Sequence, residues 1–177
     1  MGFLHSGLMA AFIGLVLYAA WSDARELRIP NKLSLALLVL FFPTALIAGI
    51  GMEQMAWHLI AGVALLVLGF VLFALGLFGG GDAKLMSACA LWLGWDQIGH
   101  FALWVVIIGG VLSLLVILLR KGLGMWPNWL VSRAQGLFEP GKSVPYGIAI
   151  SIGALIQVPR SAAWPQNWST AIEFIIG

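Results

Sequence analysis

Phe78-Gly79-Gly80-Gly81-Asp82-Ala83-Lys84-Leu85 decides how this chain is read, because three glycines and a carboxylate interrupt two long apolar runs. Lipid offers no water to an open backbone, so non-helical glycines at membrane depth are tolerated only against protein or a wet cavity. An ionisable residue beside them is by default a candidate functional group. The surrounding composition sets that context: 177 residues, 62% hydrophobic, 9% charged, with a mean hydropathy of +1.02. These values exclude a soluble globular protein and point to an all-α integral membrane protein forming one polytopic domain over residues 1–177.

Outward from that stretch the spans follow. On the N-terminal side lie Phe3 to Trp21, a retained helix with no basic region before it, then Leu33 to Ile50 with a kink expected at Pro43, and Trp57 to Leu77. Between the first two is a polar loop, Ser22 to Lys32, and Glu53 falls in the next one. Gly62, Gly69 and Gly76 recur every seven residues, a close-packing seam either within one bundle or between two copies. On the C-terminal side Ala83 to Trp95 has 13 residues, ~20 Å of helix against a hydrocarbon core of ~30 Å. Either the bilayer thins there or Asp82 lies in a water-accessible recess. Asp96 to His100 is expected to turn the chain into Phe101 to Leu119, and Val144 to Val158 makes a sixth span. Trp126, Trp129, Leu130 and Leu137 predict a helix lying in the interface, and Trp164, Trp168, Ile172 and Ile175 predict a second. The expectation is therefore about six transmembrane helices with short interfacial ones.

Charge placement orients the bundle. Arg25, Arg28, Lys32, Lys84, Arg120, Lys121, Arg133 and Lys142 share one side and Arg160 alone is on the other, which makes the first side cytoplasmic. The net charge of +2 is too small to point to nucleic acid. Cys89 is alone, so neither a disulfide nor a cysteine zinc site is expected, and His5, His58 and His100 are too scattered for a metal.

Asp23 and Asp82 are separated by two complete spans, so both emerge at the same membrane face. Two carboxylates brought together from separate helices suit aspartyl proteolysis: the ionised one takes a proton from water while the protonated one polarises the scissile carbonyl. At a separation of ~4 Å and an effective dielectric of ~20 their repulsion is about 4 kcal/mol, which keeps one shared proton near neutrality. The bland alternatives are a solvated loop charge at Asp23 beside Arg25 and Arg28, and surface acids at Glu26 and Glu139. Lys84 is either an interfacial anchor or an electrostatic partner of Asp82. A rival of another class is a small ion-coupled transporter or channel subunit using the same aspartates. A third is a structural subunit whose glycines serve packing alone.

Asp23 followed by Ile29-Pro30-Asn31 resembles the first-aspartate motif of the type IV prepilin peptidases. The Gly79-x-Gly81-Asp82 stretch with Lys84 resembles their second, GxGD-type motif, and Pro145-Tyr146-Gly147 is similar to a third segment of the same family. The resemblance implies a GxGD-type aspartyl protease bundle that removes the basic leader peptide of type IV prepilins after a glycine. It acts at the cytoplasmic face of the bacterial inner membrane, in pilus biogenesis or secretion, with Asp23 and Asp82 as the catalytic pair. Gly79, Gly81, Lys84, Ile29, Pro30, Asn31, Pro145, Tyr146 and Gly147 carry over as supporting or substrate-binding positions. No metal or other cofactor is implied; the partners are the prepilin, with its leader and hydrophobic helix, and the bilayer. Larger members carry a cytoplasmic insertion with paired cysteines and also methylate the new N-terminus. The lone cysteine and short first loop here resemble instead the compact peptidases of Flp-type pili, without N-methyltransferase activity.

Overall fold

A computed structural model describes residues 2–121 and 144–165. Among them are six α-helices and no strand: α1 (Gly2–Glu26), α2 (Asn31–Ile47), α3 (Met52–Ala74), α4 (Gly80–Leu93), α5 (Trp95–Lys121) and α6 (Tyr146–Gln157), followed by a 3₁₀ turn at Val158–Arg160. Three of these, α1, α3 and α5, are long and apolar enough to cross a membrane, and α2 is a shorter apolar helix.

The short helix α4 is the centre of the bundle. It packs against α2, α3, α5 and α6, and every residue from Ala88 to Leu93 is buried. The stretch Ala88–Leu93 is apolar on all sides, and such a stretch is stable only when surrounded. Trp92 anchors it: the ring is fully buried, lies 4.4 Å from that of Phe12, and its Nε1–H donates to the Leu37 carbonyl at 2.8 Å. One aromatic side chain thus joins α1, α2 and α4.

The glycine repeat divides into two roles. Gly62 and Gly69 face α4 inside this one bundle; a Cβ on Gly69 would come within 2.8 Å of Ala83 Cβ, and one on Gly62 within 3.4 Å of Leu91 Cβ. Small residues let two helix backbones approach closely where no solvent drives them together. Ser87 Oγ adds a hydrogen bond to the Gly62 carbonyl at 2.8 Å. Gly76 does not belong to this seam: it follows the end of α3 at φ +72, with nothing near its missing side chain, and serves the turn.

Several expected boundaries move. Helix α1 continues through Asp23 to Glu26, where the polar loop was expected, and Glu53 is in the first turn of α3 instead of a loop. Asp96 to His100 is helical; Gly94 at φ +78 breaks the chain, and α5 starts at Trp95. Gly80 and Gly81 are helical as well, the first residues of α4, so only Phe78 and Gly79 remain outside a helix in the opening stretch. In each case the flanking polar residue extends a helix because its backbone bonds are satisfied there, and hydropathy marks only where the apolar part ends. His58 is buried, with Nδ1 2.7 Å from the Leu91 carbonyl oxygen. Trp164 is likewise buried in the core. The remaining positions of both expected interfacial helices, Trp126, Trp129, Leu130 and Leu137 and Trp168, Ile172 and Ile175, lie outside the described residues.

Candidate active site

Three separate chain segments converge at the end of the bundle where α1 finishes and α2, α4 and α6 begin. The first is the α1–α2 connection. Helix α1 closes with Leu27 in the left-handed region, φ 51, where its N–H donates to the Asp23 carbonyl at 3.0 Å, a left-handed helix cap. Ser22 Oγ donates to the Arg28 carbonyl at 2.8 Å, and Pro30 then starts α2. This short hook folds Ile29 back toward the bundle.

The second segment is the start of α4. Gly79 caps the helix, and its N–H donates to Asp82 Oδ2 at 3.1 Å. The first N–H groups of a helix have no partner inside it, and a carboxylate three residues into the helix satisfies one while facing the positive end of the dipole. A Cβ at 79 would come within 2.5 Å of the same carboxylate oxygen, so a larger residue there would displace it. The third segment is the start of α6, where the Gly147 N–H donates to Asp23 Oδ2 at 2.6 Å. Each aspartate is therefore tied to the amino end of a helix, Asp82 to its own and Asp23 to one 124 residues away in sequence.

Ile29 is the wedge between these segments. A Cβ on Gly147 would meet Ile29 Cδ1 at 2.8 Å and Asp23 Oδ2 at 2.8 Å, and one on Gly81 would meet Ile29 Cβ at 3.3 Å. The two glycines thus clear space for one isoleucine, and α4 and α6, which carry them, close onto it. Asp23 is 4% exposed and Asp82 is half-buried, so the solvated-loop reading of Asp23 is overturned. Its place on the last turn of α1, under α6, removes it from water. One amide on each acid leaves most of a carboxylate's acceptor capacity for a water, and a protonated carboxyl keeps its O–H for a substrate carbonyl.

The remaining expected positions fall around this pair. Lys84 and Asn31 are exposed and bonded to each other, Nζ donating to Oδ1 at 3.0 Å, which links the first and second motifs directly. Pro30 is exposed and Pro145 is buried. The Tyr146 ring lies 5.3 Å from that of Phe78 and covers Gly109 of α5, where a Cβ would come within 2.7 Å of Cε1. Its hydroxyl is 3.3 Å from Ser113 Oγ. Sequence reasoning singled out neither Gly109 and Ser113, which seat this tyrosine, nor Ser22, which locks the hook; small residues inside an apolar span were their one signal. Among the described residues no group of three or more His, Cys, Asp or Glu side chains converges to hold a metal. Glu139 lies outside the described residues.

The chain was compared with known proteins. Residues 10–114 match the model of the type IV leader peptidase family. That region holds Asp23, Ile29-Pro30-Asn31 and the whole Gly79–Lys84 stretch, and ends before Pro145-Tyr146-Gly147. No curated protein and no solved structure matches significantly. With more than half its length matched, and with both aspartates inside the match, the chain belongs to the type IV leader peptidase family.

Proposed function

We propose that this protein is an aspartyl endopeptidase whose catalytic pair is Asp23 and Asp82. The observation that carries the reading is that two carboxylates from separate helices are each tied to the amide at a helix start, in segments that meet around Ile29. Membership of the leader peptidase family supplies the substrate class, a prepilin with a basic leader followed by an apolar helix.

The chemistry needs no other group. One carboxylate, ionised, takes a proton from a water whose oxygen attacks the scissile carbonyl carbon. The other, protonated, donates to the carbonyl oxygen, so that charge never accumulates there. Collapse of the tetrahedral intermediate returns the oxygen to a carbonyl, breaks the C–N bond and delivers a proton to the leaving amine; the water is consumed as the new carboxyl and amine termini. Because like charges at short range do not both ionise readily, the pair works with one proton between them. The helix-bound amides hold both carboxylates in place through the cycle, which favours the geometry of reaction over free rotation.

The site opens at the cytoplasmic face of the bacterial inner membrane in this account, on the side carrying eight of nine basic residues. All six helices contribute to crossing the bilayer, with the short α4 and α6 shielded by the longer ones. The four-residue link between α1 and α2 and the single cysteine support the compact, Flp-type form that cleaves without methylating. Cleavage of a co-expressed prepilin, read by mass spectrometry for wild type, Asp23→Asn and Asp82→Asn at matched expression, tests the proposal. Cutting after a glycine by wild type and loss in both variants is the expected result. Normal processing by either variant sinks the pair, and a product heavier by one methyl group contradicts the missing transferase activity.

A further inference from the structure

An aromatic residue stands immediately before each of the two amides that hold the aspartates. Phe78 precedes Gly79, whose N–H donates to Asp82 Oδ2 at 3.1 Å, and Tyr146 precedes Gly147, whose N–H donates to Asp23 Oδ2 at 2.6 Å. The two rings are in contact: their centroids are 5.3 Å apart and their planes are inclined at 55°, a separation that aromatic pairs prefer. The contact joins the residue before the α4 cap to the first residue of α6.

Helix α5 seats this pair. A Cβ on Gly109 would come within 2.7 Å of Tyr146 Cε1 and 3.1 Å of Cδ1, so the tyrosine ring lies against bare backbone there. One turn further on, Ser113 Oγ donates to the Gly109 carbonyl at 2.7 Å and lies 3.3 Å from the Tyr146 hydroxyl. Gly110, the next residue, has open space where its Cβ would be. A tyrosine packed on a glycine is by itself ordinary close packing between helices. Ordinary packing does not require that the partner of its ring be the residue beside the other acid's amide.

We infer that Phe78 and Tyr146 are positioning residues that set the two carboxylates relative to each other. The inference rests on the peptidase reading above and names what aligns its acids. Each carboxylate is bonded to one backbone amide, and each amide is joined to one of the rings through a single stiff, planar peptide unit. With the rings in contact, a displacement at the start of α4 is passed to the start of α6. Ile29 is wedged between the same segments, so wedge and ring contact together restrict both acids. Acid and base must address one water and one carbonyl at once, and a misplacement of about 1 Å can cost roughly 100-fold in rate. Through Gly109, α5 bears on both acids although it carries neither.

The test compares Gly109→Ala with Gly110→Ala in the full chain, the same substitution against the tyrosine ring and into open space. Phe78-Gly79 is the one Phe-Gly pair in the sequence and Tyr146-Gly147 the one Tyr-Gly pair. Isotope labels on the Phe or Tyr carbonyl carbon and on the Gly nitrogen therefore isolate each amide as a single NMR signal in detergent. In Gly109→Ala, hydrogen exchange at both amides should quicken by at least about tenfold, and kcat for a prepilin should fall about tenfold with KM within about twofold. Gly110→Ala should leave all of these within about twofold. Phe78→Leu, which leaves α5 intact, should quicken exchange at the Gly147 amide by the same margin, and it decides the matter if Gly109→Ala does not fold. Faster exchange at Gly147 alone in Gly109→Ala, a loss carried by KM, or an unchanged kcat with both amides loosened overturns the inference, while cleavage by wild type leaves the peptidase reading standing. If wild type cuts no prepilin, that reading fails and the positioning role falls with it.

Discussion

The two ends of the bundle both collect titratable groups, and they differ in how those groups are held. At the end away from the aspartates lies the larger cavity, about 820 Å³, with Glu53, His58, Asp96 and Arg160 in its walls. There His58 and Arg160 each bond to a backbone carbonyl, His58 to that of Leu91 and Arg160 to that of Ile156, four positions earlier. At the other end two acids from separate helices are each fixed by the amide at a helix start, with Ile29 wedged between the segments that meet there. The proposed site is therefore chosen not by size or polarity but by two carboxylates each held at a helix start.

That contrast is broken most directly by exchanging acids at both ends. Asp82→Asn should lower leader cleavage by about 10²–10⁴-fold, the usual contribution of a positioned acid or base. Glu53→Gln and Asp96→Asn at the far end should stay within about twofold, since neither touches the pair. Comparable losses at both ends would remove the distinction.

Proton dependence sharpens it next. A pair that works with one proton loses its acid as pH rises and both carboxyls ionise, and loses its base as pH falls and both protonate. The rate of cleavage should trace a bell, falling about tenfold per pH unit on each limb. A rate that rises steadily into alkali would indicate a different nucleophile.

A methyl group tests the anchoring. In Gly147→Ala the new Cβ would lie 2.8 Å from both Asp23 Oδ2 and Ile29 Cδ1. Cleavage should drop about tenfold from the displaced carboxylate, with part of it returned by adding Ile29→Ala. No change in the single variant would mean that the α6 amide does not position Asp23. The smallest expected effect lies in the packing seam. Gly69→Ala should destabilise the protein by about 1–3 kcal/mol through overpacking against Ala83, read as a lower midpoint of thermal unfolding in detergent. Gly62→Ala, whose Cβ meets Leu91 at 3.4 Å, should cost less.

The residues of the proposed site stand out in the sequence because each has a local signature: a carboxylate after glycines, an acid before Ile29-Pro30-Asn31, and Pro145-Tyr146-Gly147 at the start of a short apolar run. The parity of spans was enough to bring Asp23 and Asp82 to one face. Burial of Asp23 was not legible, since it comes from α6 folding over the last turn of α1, a contact across 124 residues. Nor was the central position of Trp92, because an apolar run looks alike whether it faces lipid or protein. The glycine period of seven was visible, yet it joined two packing glycines to Gly76, whose φ of +72 serves a turn.

The measurement that bears most directly on the account is the cleavage rate of one prepilin by Asp23→Asn, Asp82→Asn and the double variant, at matched folded protein. If the two acids act as one catalytic unit, the double variant is no slower than either single one, because removing one partner already disables the pair. Losses that multiply, or cleavage that persists with either acid gone, would show that Asp23 and Asp82 do not work together.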